Sequence, residues 1–335
     1  MSARILLILV FSFLIGSTKA QLNRYLVQFT DKNNSPYSFQ RPTDYLSEKA
    51  IARRIRHQIQ IDSSDLPVNP NYINEVRAIA NVSVLNASKW LNSISIQSTD
   101  PNAIASIESL PFVQNVKAIA SRKSSTPSNN FPIFNPTSAT ISQSSRSNFY
   151  NYGLSDAQIQ MHQTPFLHNM GFRGDSVRIA LIDAGFYKYN EFTTFDSVRI
   201  NGQIMDTWDF VKGEGSVSED DGHGMQCFST MAANLPGTFV GSSPKANFYL
   251  YRSEDIYSEY PIEEHNLACA AERADSAGVD ICSISLGYST FSDPSLDYSY
   301  NDLNGNTCIS SRAVQMGSHK GMLFVLAAEI GRAHA

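Results

Sequence analysis

Hydrophobic periodicity divides the chain into three stretches. In the first, residues 24–29 (RYLVQF) are rich in aromatic and β-branched side chains and read as a strand. Residues 42–58 read as a polar, basic helix and residues 71–80 as a short amphipathic one. VSVLNA (82–87) and LNSISI (91–96) alternate as strands about Ser88-Lys89-Trp90. A helix is predicted from Asp100 through Leu110, and residues 112–116 close the unit as a strand. Without the inserted basic helix the order is β-α-β-β-α-β, which suits a small α+β domain of ferredoxin-like type. Residues 119–150 then lose all period and become dense in Ser, Asn, Pro and Thr. Such composition buries too little to order itself and reads as an exposed linker, where proteolysis concentrates.

Beyond residue 150 the pattern changes again. VRIALI (177–182) is a near-continuous apolar strand, residues 224–234 a helix, and NFYLYR (247–252) a strand. Residues 261–277 form a helix with Gly278 at its end. DICSISL (280–286) is a strand, 309–320 a helix stopped by Gly321, and MLFVLA (322–327) a strand. Strands apolar throughout, alternating with helices, predict an α/β fold: a parallel sheet covered by helices on both faces.

Composition narrows the function classes. The 335 residues carry 26 basic and 31 acidic side chains, net −5, which gives no reason to expect nucleic acid or an anionic membrane as partner. Arg4, an apolar run over 5–15 broken by Ser12, and the small residues before Gln21 read residues 1–20 as a signal peptide, so the protein is expected to be secreted. That run is shorter than the roughly 20 apolar residues a membrane span needs, and no other segment is apolar enough. Cys227, Cys269, Cys282 and Cys308 all lie in the second half. They suit either disulfides, with three pairings open, or buried thiols, and their spacing matches no zinc pattern.

Three markers carry chemistry. Asp183 follows an apolar strand, where open α/β sheets build sites. His223 stands between Gly222 and Gly224 at a helix start, whose positive end favours the neutral imidazole of a general base. Ser285-Leu286-Gly287 ends a buried strand, and Gly287 permits another backbone to approach and pair as an added strand. Taken singly, each reads equally well as a turn aspartate, a surface histidine and a plain strand end. A metal held by Asp183 and His223 with Glu219, Asp220 or Asp221 is a further reading, but no second histidine stands at ligand spacing.

Together, an aspartate, a histidine forty residues later and a Ser-Leu-Gly, in that order on a parallel framework, resemble the subtilisin (subtilase) family. The likeness extends through YLVQFTDK, SKWLNSISI, RSEDIYSEYPIEEHN, ADSAGVDICSISLGY and DLNGNTCISSRAVQMGSHKGMLFVLAA, over residues 22–328, and is strongest to exported bacterial subtilases. It implies a secreted serine endopeptidase acting on protein or peptide substrates. Asp183 would orient and stabilise the ring of His223, His223 would act as general base and then acid, and Ser285, Leu286 and Gly287 would line the substrate site. It implies that residues 21–118 are a propeptide, a folding template and intramolecular inhibitor, and that 151–328 are the N-terminal part of the catalytic domain. Catalysis by such a triad requires no cofactor, while relatives often carry structural calcium. Met225 and Gln226 depart from the family's usual residues after His-Gly. After LFVLAA the family continues with Gly-Asn and, later, a Gly-Thr-Ser segment. Here residues 329–335 read as a non-native tail, so the chain is expected to be an incomplete precursor, inactive for want of the nucleophile. The alternative is a non-catalytic peptide-binding protein of the same fold.

Overall fold

The computed structural model describes residues 23–121 and 148–327. The predicted signal peptide, most of the predicted linker and the predicted tail lie outside the described residues. In the first unit, β1 (Arg24–Phe29), α1 (Glu48–Arg56), α2 (Pro70–Ala78), β2 (Ser83–Ser88), β3 (Ser93–Gln97), α3 (Pro101–Glu108) and β4 (Val113–Ala120) follow one another. The strands form an antiparallel sheet in the order β2-β3-β1-β4. Val27, Phe29, Ile94 and Ile96 from the sheet bury against Val76 of α2 and Ile107 of α3. Both helices start alike: Asn69 and Asp100 accept hydrogen bonds from the second helical N–H, with proline at the first position.

The single helix predicted over 42–58 is two pieces. A 3-10 turn at Pro42–Asp44 ends before Ser47, whose hydroxyl accepts from the N–H of Ala50 at 3.2 Å and so caps a new start for α1. β4 runs four residues further than its pattern indicates, because it pairs along the whole of β1.

The second unit opens with α4 (Asp156–Met161) and α5 (Thr164–Asn169), short helices without a clear period in the sequence. There follow β5 (Arg178–Asp183), α6 (Asp196–Ile200), β6 (Ile204–Asp209), α7 (His223–Ala232), β7 (Asn234–Leu235), β8 (Phe239–Val240) and β9 (Asn247–Arg252). α8 (Pro261–Ala277), β10 (Ile281–Ile284), α9 (Ile309–His319) and β11 (Leu323–Leu326) complete it. Five strands form one parallel sheet, β11-β10-β5-β9-β6; four of them are the predicted apolar runs, and β6 joins at the edge without having been predicted. Alternate residues serve opposite faces. Ile179, Leu181, Phe248 and Leu250 pack with Phe228 of α7. Ala180, Ile182, Tyr249 and Tyr251 pack with Leu267 and Ala271 of α8 and Ala313 of α9.

α8 is also the joint between the units. Its Glu272 accepts from the hydroxyl of Ser88 and from the N–H groups of Lys89 (2.7 Å) and Trp90 (3.1 Å), the tip between β2 and β3. His265 meets the Ser93 hydroxyl at 3.2 Å, and Asn266 accepts from Asn86 at 2.8 Å. The predicted polar helix α1 is the other half of the joint. Arg53 and Arg54 are buried and both pair with Asp275 of α8; Arg54 also reaches Asp65. Gly278, at φ +80°, ends α8 and lets α1 close in, since a Cβ there would stand 2.8 Å from the Ala50 nitrogen.

Candidate active site

β5 ends at Asp183, a fully buried carboxylate at the carboxyl edge of the sheet between β10 and β9. Crevices at this edge are where open α/β sheets hold ligands. Its Oδ1 accepts from the N–H of Ala184 at 2.8 Å and lies 2.7 Å from Nδ1 of His223. His223 is the first residue of α7, and its side chain is half exposed. Gly224 makes the approach feasible: a Cβ there would stand 2.5 Å from the Gly185 carbonyl oxygen and 2.7 Å from the Asp183 Cβ.

The carboxylates around the helix start act on His223 in the opposite direction to the helix end: its pKa is raised above the usual histidine value. The hydrogen bond to Asp183 is the largest cause, and the charges of Asp183, Asp221 and Glu254 add to it against desolvation. Full carboxylate charges outweigh a helix end worth about half a charge.

β10 ends at Ile284, so Ser285, Leu286 and Gly287 lie just past the strand and do not extend it. All three line a cleft of about 750 Å³ together with His223, Asp221 and Phe291. Four of the five residues singled out in the sequence therefore meet at one opening, with Asp183 immediately behind His223. The acidic run before His223 disperses. Asp220 pairs with Lys212 (2.8 Å) and Arg252 (3.4 Å), and Glu219 accepts from Ser216 and Ser218. Asp221 alone of the three reaches the cleft, and it accepts from the His223 N–H at 2.7 Å. Met225 packs into the apolar cluster around Phe228, and Gln226 is exposed, so neither departure touches the Asp183–His223 bond.

Three residues escape the sequence reading. Cys227, one turn along α7, brings its sulfur within 4.8 Å of ligand atoms of both Asp183 and His223, the one such triplet among the described residues. Burial pushes its thiol above the usual pKa, which disfavours the thiolate a metal needs. Glu254 and Glu259 line the cleft from the loop between β9 and α8. Burial, then the charges of Glu259, Asp183 and Asp221, push Glu254 up to about 8. The signal for both was positional: β9 neighbours β5, so their loops share one edge. All four cysteines are free thiols.

Comparison with known proteins bears on the same regions. Residues 24–131 match the peptidase S8 propeptide domain of Bacteroidota, and residues 174–328 match the subtilase family. Subtilisin BL of Lederbergia lenta is 29% identical over 126 residues, covering 37% of this chain and 42% of that protein. Alkaline elastase YaB of Bacillus sp. (strain YaB) is 30% identical over 128 residues, covering 38% of this chain and 31% of that one. The matched region thus spans less than half the length of either relative. Among solved structures, fervidolysin from Fervidobacterium pennivorans, described as a keratinolytic enzyme related to subtilisin, aligns over 93% of this chain and 40% of its own. The TM-score is 0.50 at 14% identity, a likeness of fold alone.

Proposed function

From the match of residues 174–328 to the subtilase family and of residues 24–131 to the peptidase S8 propeptide domain, we propose that the chain is the precursor of a secreted serine endopeptidase whose acid and base are Asp183 and His223. The observation that carries this reading is the 2.7 Å contact between His223 Nδ1 and Asp183 Oδ1 at the mouth of a peptide-sized cleft. Asp183 holds the ring in one tautomer, with the proton on Nδ1, which frees the other nitrogen to take a proton from a nucleophilic hydroxyl and return it to the leaving amine. Ser285 to Gly287 offer backbone for an extended substrate to pair with. The chemistry asks for no cofactor. The serine of the triad is not assigned to any residue of 1–335, so these residues alone are expected not to cleave casein above background.

The first unit serves as the intramolecular inhibitor. Its sheet and α1 cover α8, and Ser121, at the end of β4, donates to the Tyr260 hydroxyl at 2.6 Å beside the cleft. The test is secretion of the gene's complete product. Mature enzyme is expected to begin within residues 119–150, to be blocked by serine-directed reagents and to ignore zinc chelators. A His223→Ala protein with unchanged turnover would end the reading; peptide binding without turnover would favour a non-catalytic binder.

A further inference from the structure

We propose that Arg252 is a positioning residue for the Asp183–His223 pair: its buried guanidinium fastens the chain just after Asp183 to the loop that leads into His223. The inference rests on the peptidase reading above and adds to it what holds acid and base in register.

The first observation is where the guanidinium sits. β9 lies beside β5, and Arg252 is the register partner of Asp183. On its other side it is the register partner of Asp209, the last residue of β6. Its side chain is almost wholly buried. Nε donates to the carbonyl of Ala184, the residue that follows Asp183, at 2.9 Å. One terminal nitrogen donates to Asp209 Oδ2 at 2.8 Å and stands 3.4 Å from Oδ1 of Asp220. Asp220 lies in the loop that runs directly into His223. One planar group thus reaches the turn after the acid, the end of β6 and the loop before the base. The guanidinium has the fixed fork such a tie needs, and burial keeps water from competing.

The second observation is that the two loops it joins are pressed together. The N–H groups of Phe186, Tyr187 and Lys188 donate to the carbonyls of Val217, Asp221 and Ser218, all at 2.9 Å. A Cβ on Gly185 would stand 2.6 Å from the Asp221 nitrogen and 3.1 Å from the Asp220 Cβ. The loops therefore form one layer over the sheet edge, and Arg252 ties that layer down to β9 and β6. Asp221 in turn accepts from the His223 N–H, which fixes the start of α7. The second oxygen of Asp220 is buried without a hydrogen-bond partner. Its carboxylate is compensated by Lys212, which is partly exposed, and by Arg252 from within. Asp209 and Asp220 both face the same Arg252 nitrogen, so without it two carboxylates repel beneath the His223 loop. Displacing a reacting group by 1 Å costs about 10²-fold in rate.

The test uses the complete gene product. Arg252→Met alone strands the buried Asp209 carboxylate and endangers the fold. It is therefore combined with Asp209→Asn, which keeps the oxygen that accepts from the Val211 and Lys212 N–H groups. The double variant is expected to melt within about 5 °C of the unaltered protein. Its kcat should fall by about 10²-fold with KM changed less than about twofold. Arg252→Lys keeps the charge without the fork and should lose only about tenfold. NMR of histidine-labelled protein gives a reading independent of turnover: the imidazole signal that is missing from His223→Ala is titrated with pH. The double substitution removes one positive and one negative charge together, so a moved midpoint reports the bond to Asp183 and not net charge. That bond is the largest cause of the raised His223 pKa. The midpoint should therefore fall by about half a pH unit or more. An unmoved midpoint, an unchanged kcat, or a double variant that does not fold would overturn the inference. If the complete product shows no His223-dependent cleavage, the peptidase reading falls and the midpoint alone decides the Arg252 tie. His223-dependent cleavage that survives the double substitution at full kcat keeps that reading and sinks this inference.

Discussion

At the joint between the two units, Asp275 is fully buried with Arg53, Arg54 and Lys89 around it, and Asp65 is met by Arg54 and Lys320. At the edge of the sheet, Glu254 lines a cleft whose lining includes no lysine or arginine. Both places hold carboxyl groups, yet those of the joint are paired with cations, while Glu254 has its pKa pushed up to about 8, mainly by burial. A buried ion pair adds little net stability against an apolar substitute, but removing one partner is severe. The joint is thus a contact that tolerates no single loss, and Glu254 at the cleft is a carboxyl group that its surroundings hold toward the neutral form.

The largest expected effect lies at the point where the cleft meets the catalytic pair. In an enzyme carrying the nucleophile, Asp183→Asn should keep the fold and lower kcat by about 10⁴, because the imidazole loses its correct tautomer. The acid limb of the pH–rate profile should move down, since the largest cause of the raised His223 pKa is gone. Next comes the joint. Asp275→Asn leaves two buried guanidinium groups short of a partner and should destabilise the joined units by about 3–5 kcal/mol in urea unfolding. A loss under about 1 kcal/mol would show that the joint's charges are not the contact described.

Titration sharpens the contrast further. His265 is wholly buried at the joint, and burial holds its pKa down at about 4, so the folded state binds fewer protons than the unfolded chain. Its contribution is present above the unfolded value of about 6.5 and is lost as pH falls through 4. Thermal melts of His265→Gln should therefore sag less between pH 6 and pH 4. Glu254 has the opposite sign. With a folded pKa near 8, its contribution is present below the unfolded value of about 4.5 and is lost as pH rises through 8. Glu254→Gln should accordingly raise Tm at pH 9 and leave it nearly unchanged at pH 4; equal shifts at both would refute the assignment. The smallest effect concerns β11, a sheet edge with Leu323, Val325 and Leu326 half exposed or more. Leu323→Lys with Val325→Lys should reduce self-association of residues 1–335 in light scattering and change stability by no more than about 0.5 kcal/mol.

What the sequence disclosed depended on punctuation and on burial. α8 is found at its predicted ends because Pro261 and Gly278 mark them, and β5 and β9 stand out because both faces of the sheet are covered. β6 was not legible: IMDTWD is an edge strand with polar residues alternating, and nothing in its local pattern separates it from a loop. Asp183 and His223 could be proposed as partners from their order in the chain. Glu254, Glu259 and Cys227 could not, since their meaning comes from which loops the sheet order brings to one edge. The basic helix misleads for a related reason. Its periodicity marks a solvated face, but the carboxylate that buries Arg53 and Arg54 lies 222 and 221 residues away.

That separation is also an interval of time. A ribosome adding about 5–20 residues per second needs roughly 10–45 s to pass from Arg53 to Asp275. A small domain with its own core needs milliseconds to seconds to fold, and the first unit has such a core in Val27, Phe29, Ile94, Ile96 and Ile107. A first unit that folds as soon as it is made would therefore finish its sheet while α8 is still untranslated, with Arg53 and Arg54 waiting in water as a standing surface. In that case α8 would emerge into the presence of a completed template, the first half as the mould and the second as the cast.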